Sequence, residues 1–140
     1  MPARASAEWK GELKSGQGTF TAGEGIGGGY SFRSRFEDGP GSNPEQLIAA
    51  AHAACFSMAL AAALDSAGTP ADSVRTEATV TLRQVDGAPT ITAIALRTAG
   101  TVPGIDEATF REAAEGAKTG CPVSRALAGV PEITLESSLV

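Results

Sequence analysis

Two thiols, an imidazole, a helix-start carboxylate and two arginines are the side chains here whose types and spacing could do chemistry. Cys55 lies in the apolar run His52-Ala53-Ala54-Cys55-Phe56, downstream of Glu45 in Ser42-Asn43-Pro44-Glu45-Gln46-Leu47, and the second cysteine, Cys121, stands in Gly120-Cys121-Pro122-Val123-Ser124. A cysteine attacks as its thiolate, and apolar surroundings disfavour that anion, so a nearby cation has to compensate. The apolar run 47–64 contains no Lys or Arg. The cation must come from elsewhere, and Arg33 and Arg35 in Tyr30-Ser31-Phe32-Arg33-Ser34-Arg35-Phe36 are the candidates. Glu45 could hold either one in a bidentate pair that fixes its direction. The plainer reading makes both arginines solvated strand residues and Glu45 a partner of the helix dipole. Pattern alone leaves that choice open, and with it the choice between the two arginines. The thiols with an arginine and a carboxylate suggest redox chemistry.

Other chemistries fit less well. His52 and Cys55 are three residues apart, and Cys121 could add a third metal ligand, but there is no second His and no Cys-x-x-Cys. His52 therefore reads as a buried, hydrogen-bonded helix residue, and no metal or cofactor is expected. The glycine run 23–29 lacks the Lys-Ser/Thr ending of a phosphate cradle, and no nucleophile elbow supports Ser-His-Asp catalysis.

The elements that must position these groups can be read along the chain. The first forty residues read as β-structure: a strand over 8–13 containing Trp9, a turn at Gly16-Gln17-Gly18, and a strand resuming at Thr19-Phe20-Thr21. Residues 23–29 read as a flexible loop. Residues 30–36 alternate as a strand, with Tyr30, Phe32, Ser34 and Phe36 on one face and Arg33 with Arg35 on the other. A long helix follows Asp38-Gly39-Pro40-Gly41: Asn43 can cap it, Pro44 suits its first position, and Gln46 completes a capping box. It ends at Asp65-Ser66-Ala67-Gly68-Thr69-Pro70. Then come a hairpin (74–85 and 90–102 around Asp86-Gly87-Ala88-Pro89), a surface helix over 106–118, a short helix opened by Pro122 with Cys121 as its N-cap, and a last strand over 132–140. This order predicts an α+β fold.

Between Leu47 and Leu64 only His52 and Ser57 interrupt the apolar side chains. Such a run could cross a membrane, but it is alanine-rich, solitary and without flanking Lys/Arg anchors. It reads instead as a helix buried on all sides. One sheet cannot cover it all, so the pattern predicts an obligate dimer with this helix at its centre; the competing arrangement is a monomer closed by the C-terminal helices. Glu45 and Cys55 are ten positions apart, about 15 Å along a continuous helix. If they cooperate, Glu45 should come from a partner subunit whose helix runs antiparallel, giving two equivalent sites at the interface.

Composition narrows the partners. The net charge is −5, with no basic block, so nothing points to nucleic acid or an anionic membrane surface. The first residues lack the apolar core of a secretory signal, and two cysteines make no disulfide scaffold, so a cytoplasmic setting is expected. The length suits one domain, residues 1–140.

Phe32-Arg33-Ser34-Arg35-Phe36-Glu37, the stretch Asn43-Pro44-Glu45-Gln46-Leu47 through His52-Ala53-Ala54-Cys55-Phe56-Ser57-Met58, Val102-Pro103-Gly104-Ile105-Asp106 and Gly120-Cys121-Pro122-Val123-Ser124 resemble the OsmC and organic hydroperoxide resistance family of thiol peroxidases. The form around Cys55 and the ending Ala-Gly-Val-Pro-Glu-Ile-Thr-Leu resemble its OsmC branch. The resemblance implies an intertwined α+β homodimer with β-sheets around the central helix and two interfacial sites. It also implies a peroxidatic Cys55, a resolving Cys121, an active-site arginine at Arg35 and an orienting carboxylate at Glu45. The implied activity is reduction of organic hydroperoxides, and less efficiently hydrogen peroxide, with regeneration by an external dithiol, a lipoyl protein in related members, in a setting of oxidative and osmotic stress. Leu47, Phe56, Met58 and the alanines around Cys55 should favour substrates with an alkyl group to bury. The rivals are a thiol redox sensor without turnover and an apolar-ligand carrier.

Overall fold

The structure is a computed structural model describing all 140 residues. The chain divides into two compact units, Met1–Leu47 and Ile48–Val140.

In the first unit, β1 (Ala5–Lys10), β2 (Gln17–Ala22) and β3 (Ile26–Tyr30) form an antiparallel sheet in the order β1-β2-β3. Its aromatic side chains converge: Trp9 and Phe20 lie 5.6 and 6.5 Å from Tyr30, centroid to centroid. Gly18 lies opposite both Trp9 and Tyr30, and any Cβ there would run into the Tyr30 ring. β1 begins and ends three residues before the expected strand, stopping where Gly11 takes φ +93°.

Two expectations fail in this unit. The glycine run is no loop beyond residue 25: Gly27, Gly28 and Gly29 pair with Thr21, Phe20 and Thr19. Ladder hydrogen bonds need only backbone, so a glycine strand carries no side-chain periodicity to read. Residues 32–36 are no strand either but the helix α1 (Phe32–Phe36). Ser31 caps it: its side chain accepts from the Ser34 N–H at 3.1 Å, and Ser34 Oγ accepts from the Ser31 N–H at 2.8 Å. Phe32 and Phe36 stack one turn apart, 5.0 Å between centroids. Their spacing satisfied a period of two as well as one of four.

The helix α2 (Pro44–Ser66) starts as its sequence signals require. Asn43 Oδ1 accepts from the Gln46 N–H at 2.9 Å, and Gln46 Oε1 accepts from the Asn43 N–H at 3.2 Å. It ends in a Schellman motif: the Thr69 N–H reaches the Leu64 carbonyl at 2.9 Å, the Gly68 N–H reaches that of Asp65 at 3.0 Å, and Gly68 adopts φ +81°.

In the second unit, β4 (Ser73–Val85) and β5 (Ala88–Thr101) form the hairpin, closed by Asp86 and Gly87 at positive φ. β6 (Glu132–Leu139) adds in parallel to the other edge of β5. Between them lie α3 (Glu107–Gly120), capped by Asp106, and α4 (Pro122–Ala126). Phe56, Leu60 and Leu64 of α2 join Ile94, Leu96, Phe110 and Ala114 in one core. Each large side chain so buried contributes about 1.5–3 kcal/mol.

Only one side of α2 is covered within the chain. His52, Phe56, Leu60 and Leu64 form the inward stripe. Ala50, Ala51, Ala54, Met58, Ala61 and Ala62 form an exposed one, with Met58 75% exposed. The helix is 23 residues long and its most apolar 18-residue stretch has mean hydropathy 2.0, enough by length and composition to cross a membrane; its inward stripe is nonetheless part of a protein core. Of the apolar side chains expected to favour substrates with an alkyl group, Phe56 is turned into the core instead. It follows Cys55 in sequence but is turned about 100° around the helix, and it is wholly buried in the core.

Candidate active site

The residues singled out in the sequence fall into two local constellations. Arg35 and Glu45 belong to the first unit; Cys55 and Cys121 belong to the second.

The arginine and carboxylate meet because α1 is a helix. In a strand, Arg33 and Arg35 would share a face, whereas two helical steps separate them by about 200°. Arg33 turns outward to Glu37, Nε to Oε2 at 3.5 Å, with both side chains more than half exposed. Arg35 turns to Glu45: Nη2 donates to Oε1 at 2.7 Å, and Nε lies 3.2 and 3.3 Å from Oε1 and Oε2. Glu45 is 7% exposed in the first turn of α2. Two further bonds lock α1 to this turn: Ser34 Oγ donates to the Ser42 carbonyl at 2.7 Å, and Asn43 Nδ2 donates to the Ser34 carbonyl at 3.1 Å. The result is a directed guanidinium on a rigid mount, its Cζ 5.4 Å from the Phe36 ring centroid.

The two sulfurs meet through tertiary packing. Cys121 ends α3, its N–H donating to the Ala117 carbonyl at 2.9 Å, and also caps α4, its carbonyl accepting from the Arg125 N–H at 3.0 Å. Pro122 opens α4, where its missing N–H costs nothing. This turn points the Cys121 sulfur at α2, and Cys121 Sγ lies 2.8 Å from Cys55 Sγ. Both cysteines are free thiols; Cys121 is fully buried and Cys55 is half-buried.

The environment treats the sulfurs unequally. Burial pushes the Cys55 thiol up, the adjacent Cys121 sulfur adds to this, and the Val123 amide pulls weakly the other way. Burial also acts against the Cys121 thiolate, but the adjoining Cys55 thiol and the polar groups of the α4 turn at Ser124 and Val123 outweigh it. Cys121 therefore lies below the ordinary thiol range. Within this unit the anion of the pair is favoured on Cys121, and Cys55 needs an added cation to ionise.

His52 is wholly buried, and its Nε2 is 2.7 Å from Ser124 Oγ. It faces a hydroxyl, and no group of three or more His, Cys, Asp or Glu that could hold a metal is present. Ser124 is the buried polar partner of His52 that pattern reading passed over. The signal was in Gly120-Cys121-Pro122-Val123-Ser124: a serine three residues after a helix cap lies in the helix's first turn, beside the cap.

The geometry defines a class first: an α+β protein carrying a buried, closely apposed dithiol. The family model described as OsmC-like protein matches residues 37–136. Over 138 residues, 97% of this chain and 95% of the relative, the sequence is 47% identical to Peroxiredoxin OsmC of Escherichia coli (strain K12). Over 99 residues, 69% of this chain and 67% of the relative, it is 39% identical to an organic hydroperoxide resistance protein of Xanthomonas axonopodis pv. citri (strain 306). The crystal structure of the organic hydroperoxide resistance protein OhrB of Bacillus subtilis aligns with TM-score 0.75 at 27% identity, over 96% of this chain and 98% of that one. The chain belongs to the OsmC-like protein family.

Proposed function

We propose that this protein is a cysteine-based peroxidase acting on organic hydroperoxides, with Cys55 as peroxidatic and Cys121 as resolving thiol. The observation that carries this reading is the 2.8 Å separation of the sulfurs: a sulfenic acid formed on Cys55 has a second thiol at hand without movement of either helix. The names of the relatives, a peroxiredoxin and an organic hydroperoxide resistance protein, support it.

The Cys55 thiolate attacks the distal peroxide oxygen. The O–O bond breaks, the alkoxide leaves and takes up a proton as alcohol, and Cys55 becomes a sulfenic acid. Cys121 attacks that sulfur, expelling the oxygen as water and closing a disulfide. An external dithiol then exchanges with the disulfide and returns both thiols. A lipoyl protein is one carrier with the right chemistry for this last step.

The Cys55 thiolate needs a cation, and Arg35, aimed by Glu45, is the group this reading assigns. It comes from a partner subunit, because ten residues of continuous helix put Glu45 about 15 Å along the axis from Cys55. The exposed stripe of alanines with Met58 is narrow and apolar, suited to a second copy of the same helix. Organic substrates are favoured by the apolar face near Glu45, where Ala7, Phe20, Tyr30, Pro44 and Leu47 line a cavity of ≈ 130 Å³.

The test is steady-state reduction of cumene hydroperoxide with a dithiol, compared with hydrogen peroxide. Many turnovers, faster with the organic substrate, are expected. Oxidation that stops after one equivalent despite added dithiol would instead mark a redox switch.

A further inference from the structure

We propose that His52 and Ser124 are positioning residues for disulfide closure: their buried hydrogen bond seats α4 on α2 so that Cys121 meets Cys55 in register. This role rests on the reading of Cys121 as the resolving thiol.

Two contacts join the same two segments. His52 Nε2 lies 2.7 Å from Ser124 Oγ, and Cys121 Sγ lies 2.8 Å from Cys55 Sγ. Each segment holds its two groups three residues apart, with His52 before Cys55 and Cys121 before Ser124. On α2 that spacing sets the imidazole and the thiol about 60° apart around the axis and about 4.5 Å apart along it. The segments therefore cross in opposite directions, and one contact fixes the register of the other.

α4 is five residues long, Pro122–Ala126, and Ser124 is its only buried residue. A helix that short does not hold its place by itself. Cys121 before it and Leu127 and Val130 after it are kept in place by burial, which has no preferred direction. A hydrogen bond weakens steeply off its line, so the Ser124 contact fixes the rotation of α4 as well as its distance from α2. His52 stands wholly buried in the inward stripe with Phe56, Leu60 and Leu64. Ser124 is its one hydrogen-bond partner, since Nδ1 has none. Burying a half-satisfied imidazole costs more than burying a leucine in the same stripe. Stability alone therefore gives no reason for a histidine here, whereas a directional contact beside the sulfurs does.

In the step served, Cys121, as thiolate, supplies the electron pair of the new S–S bond. The S–O bond of the Cys55 sulfenic acid breaks, and the oxygen leaves as hydroxide, which becomes water with the proton Cys121 released. Cys121 is oxidised and Cys55 is reduced to the disulfide level. Such an attack needs the incoming sulfur in line with the breaking bond, and a displacement of about 1 Å can slow it up to about 100-fold.

Reduced protein is mixed with one equivalent of cumene hydroperoxide, and peroxide loss and internal disulfide are followed in the same sample. The double variant H52L/S124A removes both partners and leaves no orphaned polar group, so it should keep most of its thermal stability. Its closure should slow about tenfold relative to peroxide loss, with a dimedone-reactive sulfenic acid accumulating between the two steps. H52Q keeps a hydrogen-bonding group within reach of Ser124, and S124T keeps the hydroxyl; both should recover closure. H52L alone fills the space without the bond and should not. If the double variant does not fold, H52L and S124A against H52Q and S124T make the same comparison. A ratio of the two rates unchanged in the variants without the bond overturns the proposal. So does closure that follows melting temperature across the variants rather than the presence of the bond. Equilibration with a glutathione redox buffer forms the same disulfide without peroxide. There H52L/S124A should hold it about tenfold less tightly, because α4 then has to be ordered as the S–S bond closes. If the parent consumes no peroxide, the peroxidase reading fails by itself, and an unmoved glutathione equilibrium independently overturns the role of His52 and Ser124.

Discussion

Mixing a slowed variant with an inactive one gives the sharpest test of where the arginine clamp acts. In Glu45→Ala chains Arg35 loses its only close carboxylate, with contacts at 2.7, 3.2 and 3.3 Å; in Cys55→Ser chains the nucleophile is gone. A hydrogen bond to a charged group is worth about 1.5–3 kcal/mol, so if the pair aims the guanidinium, Glu45→Ala alone should slow peroxide reduction about 10- to 100-fold. Arg35 is partly exposed, so the same substitution should cost only about 1 kcal/mol of stability, which a thermal melt can verify. If Glu45 serves the cysteine of the partner subunit, each mixed dimer has one wholly intact site and one doubly damaged site. Random assembly of equal amounts then restores about a quarter of all sites. Residual Glu45→Ala sites supply at most about a tenth of that signal at the rates above, so recovery stands clear of background. The assay is single-turnover reduction of cumene hydroperoxide by mixtures whose mixed dimers are verified by native mass spectrometry. Verified mixed dimers no faster than Glu45→Ala would refute action in trans and place clamp and nucleophile in one chain.

Cys55→Ser should abolish peroxide consumption, and retained turnover would remove Cys55 from the nucleophile's role. Cys121→Ser should consume one equivalent, accumulate a dimedone-reactive sulfenic acid and form no internal disulfide; a disulfide still found within one chain would contradict the apposition of the sulfurs. Phe56→Ala should lower stability by about 3–5 kcal/mol in urea unfolding, because a fully buried ring leaves a core cavity; a loss below about 1 kcal/mol would mean that Phe56 is not in the core. His52 titrates near the ordinary imidazole value of 6.5 when unfolded and lower when folded, because burial disfavours its charged form. Below pH 6.5 the unfolded chain therefore binds a proton that the folded chain does not, and stability should fall as pH drops through that window, levelling off below the folded pKa. His52→Gln should remove this component, and equal pH slopes in the two proteins would contradict a buried neutral His52.

What could be read from sequence depended on the range of the interaction carrying each feature. The start of α2 was legible because Asn43, Pro44 and Gln46 build it within one turn, and the hairpin because Asp86 and Gly87 suffice to turn it. The Ser124–His52 bond spans 72 positions, and no local pattern records it. Segment 30–36 failed for another reason. Its aromatic and serine spacing suits both periods, and the deciding contacts are the Ser31–Ser34 cap and the bonds from Ser34 and Asn43. That misreading matters for the site. On a strand Arg33 and Arg35 are equivalent, and nothing selects one to meet Glu45; one turn of helix sends Arg33 to solvent and Arg35 to the buried carboxylate. Resemblance singled out Arg35 from its place in a motif, and α1 supplies a physical reason for that distinction. The clamp thus rests on contacts confined to residues 31–45, whereas the dithiol rests on the packing of α4 against α2. Weakening the Ser31 cap should accordingly disturb the aim of Arg35 while leaving the sulfurs apposed, and loosening α4 should part the sulfurs while leaving the clamp intact.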